Sequence, residues 1–196
     1  LEFKGNENIT MELLKEKKII LFVGRLEGKE MLNVLLDSLI QVSSEIENVL
    51  LVVIGGGSCL SIYKENSISK GISNNILWLG PLYNEKDLAY WFLSSHCFVY
   101  PGAIGLSLLH AFSYNLPVIT HNNLKNHMPE IAAFKDQHNG LMFKEGNDLD
   151  LARKIITILL NDDMRINYSS NALKTVKDDY TFEQMLERFE FALNDT

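Results

Sequence analysis

The sequence predicts an α/β domain: a parallel sheet of about six strands flanked by helices, ending in a helical C-terminal tail. Three observations carry this reading. From Lys17 onward, short β-branched and aliphatic runs alternate with amphipathic stretches. The apolar runs carry no polar face, as strands buried on both sides of a sheet require. After Phe143 the strand-like runs stop and only helical spacing remains.

Each element follows in order. IILFV (19–23) is the first strand, and Leu32, Leu35, Leu36 and Leu39 give 29–43 a helical stripe. VLLVVI (49–54) is the second strand; it ends in Gly55-Gly56-Gly57, and a polar helix covers 60–71. ILWLG (76–80), a short helix over 84–94 and CFVY (97–100) come next. A helix over 105–114, the strand PVIT (117–120), a turn-rich stretch to about 136 and the strand GLMF (140–143) complete the alternation. Asn147 caps a helix over 148–160, a second covers 163–177, and a last one starts at Thr181. There Thr181 and Gln184 have the spacing of a capping box, and Phe182, Met185, Phe189 and Leu193 form an apolar stripe.

A chain of 196 residues that is 46% hydrophobic can bury one good core, so 17–196 is read as one domain, with 1–16 as an extension or linker. The chain opens with Leu-Glu-Phe rather than Met, as a piece of something longer would. Its 18 basic and 25 acidic residues leave a net charge of −7, which argues against a nucleic-acid partner. The two cysteines, Cys59 and Cys97, suit reduced thiols better than a disulfide scaffold. The longest apolar runs fall far short of the roughly 20 residues that a membrane span needs.

Right-handed crossovers place all strand C-terminal ends on one edge, where ligands of open α/β sheets bind. Glycine stands just past four of the five inspected ends: Gly24, Gly55 to Gly57, Gly80, and Gly102 with Gly105. So bare an edge admits close approach to the backbone. The helix start near Gly105 offers free amides suited to a phosphate. Arg25 and Lys29, four residues apart across a glycine-containing loop, are placed to meet the same anion, one as a fork and one as a point charge.

Other chemistries fit less well. The triple glycine fails the dinucleotide fingerprint, since Leu60 stands where its third glycine belongs. Asp148-Leu149-Asp150 has a metal-binding spacing, yet it opens a helix, where acids favour the dipole. The five histidines have no ligand spacing, and Cys97 sits inside a strand. No metal site is expected.

In order and spacing, VGRLEGK (23–29), LLVVIGGGS (50–58), NNILWLGPLYNEKDLAYWFLSSHCFVYP (74–101), GLSLLHAFSYNLPVIT (105–120), MPEI (128–131) and NGLMFKEGN (139–147) resemble one family. It is the C-terminal, nucleotide-sugar-binding half of GT-B retaining glycosyltransferases of family 4, or group 1. The resemblance covers about residues 17–193 and implies a Rossmann-like domain that is one half of a GT-B fold. It implies Arg25 and Lys29 on the donor diphosphate as the catalytic cations, with Gly24 and Gly56 beside them. Backbone amides at Ile104, Gly105 and Leu106 would bind the same phosphates, and Gly80-Pro81-Leu82 would border the base. The resemblance implies a UDP- or GDP-sugar as donor, used without cofactor or metal.

Two departures stand out. The family's E-x7-E pair falls on Gly102 and His110. His110 is expected to accept from the ribose hydroxyls through one neutral ring nitrogen, and Glu130 to stand in part for the carboxylate missing at 102. The resemblance further implies an N-terminal acceptor domain that is not in this chain, and a glycan or lipid-linked acceptor of bacterial cell-envelope polysaccharide synthesis. The protein would be cytoplasmic, with any peripheral membrane contact made through the other half. A degenerate binding or scaffolding module is the alternative, as is a different GT-B activity such as nucleotide-sugar epimerisation.

Overall fold

The computed structural model describes residues 14–181, 183, 184, 186, 187, 190 and 191. Its strands are β1 (Lys18–Val23), β2 (Val49–Ile54), β3 (Ile76–Gly80), β4 (Cys97–Tyr100), β5 (Val118–His121) and β6 (Gly140–Phe143). They form one parallel sheet in the order β3-β2-β1-β4-β5-β6. The helices are α1 (Leu32–Glu45), α2 (Leu60–Ser69), α3 (Glu85–Ser94), α4 (Ser107–Ser113), α5 (Asp148–Leu160) and α6 (Asp162–Asp179).

Strand pleating divides the core in two. Ile20 and Phe22 of β1 join Leu35, Leu36 and Leu39 of α1 and Ile155 and Ile158 of α5 on one face. Ile19 and Leu21 join Trp91 and Phe92 of α3, Leu108 and Phe112 of α4 and Ala172 of α6 on the other. All six residues of β2 are buried, which is why VLLVVI has no polar alternation. Leu14, inside the expected 1–16 extension, is itself buried in the second cluster. Residues 1–13 lie outside the described residues.

Element ends show where local chemistry decides. Asn84, Asn147 and Asn161 each cap a helix, accepting from the amides of Lys86, Asp150 and Met164 at 2.9 Å. The first helix, expected from 29, begins only at Leu32, because Gly28 (φ 95°) and Met31 (φ 55°) take left-handed backbone and keep 24–31 a loop. The helix expected from 105 begins at Ser107. The predicted capping box is formed, with Thr181 N–H on Gln184 Oε1 at 3.1 Å and Gln184 N–H on Thr181 Oγ1 at 3.4 Å. The stripe of Phe182, Met185, Phe189 and Leu193 lies outside the described residues. Among the described residues, no helix is long and apolar enough to cross a membrane.

The order in which successive strands are added switches sides of the sheet between β1 and β4, while all strands stay parallel. Strand order of this kind opens a crevice where the neighbouring loops part to opposite faces. The loops after β1 and β4, residues 24–31 and 101–106, flank it.

Candidate functional site

Backbone bonds lace together the loops after the first three strands. The Gly24 amide donates to Ile54 O (3.0 Å), Leu26 to Gly56 O (3.0 Å), Gly55 to Gly80 O (2.9 Å) and Cys59 to Leu26 O (2.9 Å). The approach is close enough to require glycine: a Cβ on Gly55, at φ 149°, would lie 1.8 Å from Gly24 O. One on Gly56 would touch Pro81 at 3.6 Å. Gly24, Gly56, Gly80 and Pro81 thus share one floor. Glu27 ties the edge further, taking the Ser58 hydroxyl at 2.6 Å and the Ser58 amide at 3.3 Å. The hydroxyl bond holds its carboxyl below the usual carboxylate range.

Arg25 and Lys29 project from this floor. Both are exposed, and neither has an ion-pair partner among the described residues. Their loop is shaped by Glu30, whose role sequence reasoning missed. Glu30 is only 2% exposed. Its Oε2 accepts from the Glu27 amide (3.1 Å), while Oε1 accepts from the Gly28 amide (3.2 Å) and the Tyr63 hydroxyl (2.6 Å). Burial first, and then this carboxylate, push the Tyr63 phenol up, so it stays a donor. The available signal was an acid two and three residues after amides that no helix satisfies.

Across the crevice, Gly102 meets the same loop. A Cβ there would fall 2.4 Å from Lys29 O and 2.8 Å from Glu30 Cα. The expected carboxylate at 102 is therefore not simply deleted; backbone of the loop after β1 occupies its place.

The loop 101–106 is clasped from the other side by the segment after β5. The Ile104 amide donates to His127 Nδ1 at 3.1 Å, and the Met128 amide donates to Ile104 O at 3.0 Å. The Ile104 amide, expected to face a phosphate, is thus engaged within the protein. The Gly105 and Leu106 amides take no acceptor among the described residues. Glu130, on a 3-10 turn over Pro129–Ala133, brings a buried, unpartnered Oε2 beside Gly105, 3.6 Å from where a Cβ would be.

His110 faces α3. Its Nε2 lies 3.0 Å from Glu85 Oε1, which the Tyr114 hydroxyl also engages, and its ring packs on Phe92 at 4.6 Å. A carboxylate only accepts, so Nε2 carries a proton, and in the neutral ring Nδ1 is the nitrogen left to accept. The Tyr114 bond and then the His110 bond hold Glu85 below the ordinary carboxylate range.

The sequence profile described as "Glycosyl transferases group 1" matches residues 6–175. The chain belongs to the group 1 glycosyl transferases. An uncharacterised glycosyltransferase of Methanocaldococcus jannaschii is 23% identical over 193 residues, 96% of this chain and 48% of its own length. The chain therefore spans about half the length of that relative.

Solved structures show the same fold. A Staphylococcus aureus TarM mutant in complex with fondaparinux, α-GlcNAc-glycerol and UDP superposes with TM-score 0.80 at 20% identity, over 95% of this chain and 37% of that one. Anabaena HepE in complex with UDP gives 0.80 at 17%, over 93% and 50%. The separately crystallised C-terminal domain of Francisella tularensis LpcC, a group 1 family protein, gives 0.75 at 18%, over 92% and 96%. The six-stranded parallel sheet with its flanking helices thus has the fold of a Rossmann-like GT-B half.

Within this group 1 domain the remaining polar motifs are structural. Asp150 accepts from the Lys144 amide at 2.7 Å and pairs with Arg153, closing the turn into α5. Cys97 is buried in β4, and burial pushes its thiol up to about 12.

Proposed function

We propose that this domain binds the nucleotide-diphosphate sugar of a retaining glycosyl transfer. The observation that carries it is the pair of exposed cations, Arg25 and Lys29, without ion-pair partners among the described residues, on a loop packed against the bare end of β4 at the β1/β4 crevice. Neighbours of the same fold crystallised with UDP support a UDP-sugar, and a GDP-sugar has the same diphosphate chemistry. As the sugar–phosphate bond breaks, charge grows on the diphosphate. Fixed cations and amides stabilise that charge more than they stabilise the bound donor.

In this reading Arg25 and Lys29 hold the diphosphate with the Gly105 and Leu106 amides, over the floor of Gly24 and Gly56. Gly80, Pro81 and Leu82 border the base. His110 Nδ1 accepts from a ribose hydroxyl, and Glu130 Oε2 accepts from a hydroxyl of the transferred sugar. No step uses a metal. The acceptor, a glycan or lipid-linked sugar of a cell-envelope polysaccharide, is held by an N-terminal domain without which this half is inactive. The protein works in the cytoplasm, and that other half makes any peripheral membrane contact.

Calorimetric titration with UDP, GDP, ADP and their sugar conjugates tests the reading. Arg25→Ala is expected to weaken the bound nucleotide at least tenfold, about 1.4 kcal/mol. Unchanged affinity would remove the diphosphate assignment. His110→Ala should cost a nucleotide more than it costs pyrophosphate. A non-catalytic scaffolding module is the second reading, favoured by the lack of a side chain at Gly102; it predicts no saturable donor binding even by the longer, two-domain protein.

A further inference from the structure

The segment after β5 does more than connect strands. His127 is stacked on His121 with ring centroids 3.8 Å apart and planes 17° from parallel. Its two ring nitrogens do opposite work: Nδ1 accepts from the Ile104 amide at 3.1 Å, and Nε2 lies 2.9 Å from His121 O, which can only accept. These two bonds specify one form of the ring, neutral with its proton on Nε2. Met128 N–H donates to Ile104 O, so the two peptide units that meet at Ile104 are each gripped by the same segment.

The grip decides what the loop can offer. With Ile104 turned toward His127, the next two amides, Gly105 and Leu106, are the ones left without an acceptor among the described residues. Gly105 is fixed from the same segment, since a Cβ there would lie 3.2 Å from Met128 Cβ and Cγ. The Met128 bond sets the peptide that carries the Gly105 N–H, and the His127 lone pair sets the peptide before it.

We propose that His127 is the positioning residue of this loop: its neutral ring fixes the Ile104 amide, aims the Gly105 and Leu106 amides at the donor diphosphate, and ceases to do so once Nδ1 is protonated. The inference rests on the donor reading given above. A second proton would set Nδ1–H against the Ile104 N–H, two donors face to face, and the loop must let go of the ring. The charged and titratable groups facing His127 are His121 from β5 and Glu145 from the turn after β6. Burial disfavours the imidazolium, while the bond to His121 O and the Glu145 carboxylate favour it. Burial wins, so the ring titrates below the ordinary 6.5. Glu145 is in turn occupied by Asn123 and Asn126, each at 2.8 Å.

Two substitutions separate positioning from mere packing. In His127→Asn the Oδ1 stands in for Nδ1, keeping the acceptor for Ile104 while losing the bond to His121 O. His127→Gln does the reverse. UDP-glucose and GDP-glucose are suitable probes, because their diphosphates are doubly esterified and keep their charge between about pH 5 and 8. At pH 8 His127→Asn should bind within about threefold of wild type and His127→Gln about tenfold more weakly. As pH falls, wild type should lose affinity relative to His127→Asn. A constant ratio from pH 8 to 5, or equal losses in the two variants, overturns the proposal.

A ligand-free measurement keeps it separate from the donor reading. In two-dimensional amide NMR of the 196-residue chain, the Ile104 resonance should follow the His127 ring through its titration and stay fixed in His127→Asn. If neither sugar nucleotide binds wild type at pH 8, the donor reading falls. The clasp then stands or falls on whether Ile104 moves with the ring.

Discussion

Substituting Gly102 tests whether the missing carboxylate is a loss or a built feature. A Cβ at 102 would lie 2.4 Å from Lys29 O, 2.8 Å from Glu30 Cα and 2.9 Å from Glu30 C. All three are backbone atoms, so no side chain can swing away and the loop 27–31 itself must move. Overpacking of this kind costs about 1–3 kcal/mol. Moving the loop also strains the bonds from Glu30 to the Glu27 and Gly28 amides and to Tyr63, and the loss of one bond to a charged group costs roughly 1.5–3 kcal/mol. Gly102→Ala should therefore lose about 2–4 kcal/mol. Differential scanning calorimetry would read this as a Tm lowered by about 5–15 °C, at roughly 2–4 °C per kcal/mol for a domain of this size. Gly102→Glu should be no better, and should not strengthen donor binding. A Gly102→Ala protein within about 0.5 kcal/mol of wild type, or a Gly102→Glu protein with improved affinity, would refute the argument.

The remaining predictions draw on the same features. His96 and His121 are each held at about 4 against the ordinary 6.5, first of all by burial. The unfolded chain therefore takes up protons that the folded chain refuses. Stability is full above about pH 6.5 and falls toward pH 4, by about 1–2 kcal/mol for each ring after allowance for solvent screening. Urea midpoints at pH 7.5 and 4.5 check this, and His96→Asn, which keeps an acceptor for the Ile19 amide, should narrow the difference. Glu30→Gln should destabilise by about 2 kcal/mol and Tyr63→Phe by about 1, with the double variant costing less than the sum, as denaturant titration would show. Of the two thiols, half-buried Cys59 should react with a disulfide reagent at pH 8 and Cys97 only on unfolding; equal rates would contradict the buried β4.

The sheet was legible because β2 and its neighbours are apolar on both faces, and glycines just past the strands marked the edge where a ligand would lie. Helix starts were less so. The Leu32 stripe runs on smoothly from 29, and nothing in its spacing announces that Met31 takes left-handed backbone. The polar contacts of the site were the least readable. Glu30 stood in the sequence only as the residue after Lys29, and His127 as one of five histidines without ligand spacing. Each acquires its role from a partner brought by the fold: Tyr63 lies 33 residues from Glu30, and Ile104 lies 23 from His127. Periodicity records which way a side chain faces, whereas these roles depend on which lone pair meets which amide.

The order of the strands also sets the order in which this protein can assemble. β1 and β2 pair along six residues in register, after a connection of a single helix. β1 and β4 pair at only Ile20 with Cys97 and Leu21 with Phe98, and the bonds between Ile19 and His96 span 77 residues of chain. Closing a loop of that length must precede any reward from the pairing, which makes such contacts slow to form. The N-terminal three strands can therefore gather first, and the seam beside Gly24 and Pro101 closes when the second half docks. Lys29 and Gly102 then meet only in the final stage of folding, and the same narrow seam should be among the first places to open in amide exchange.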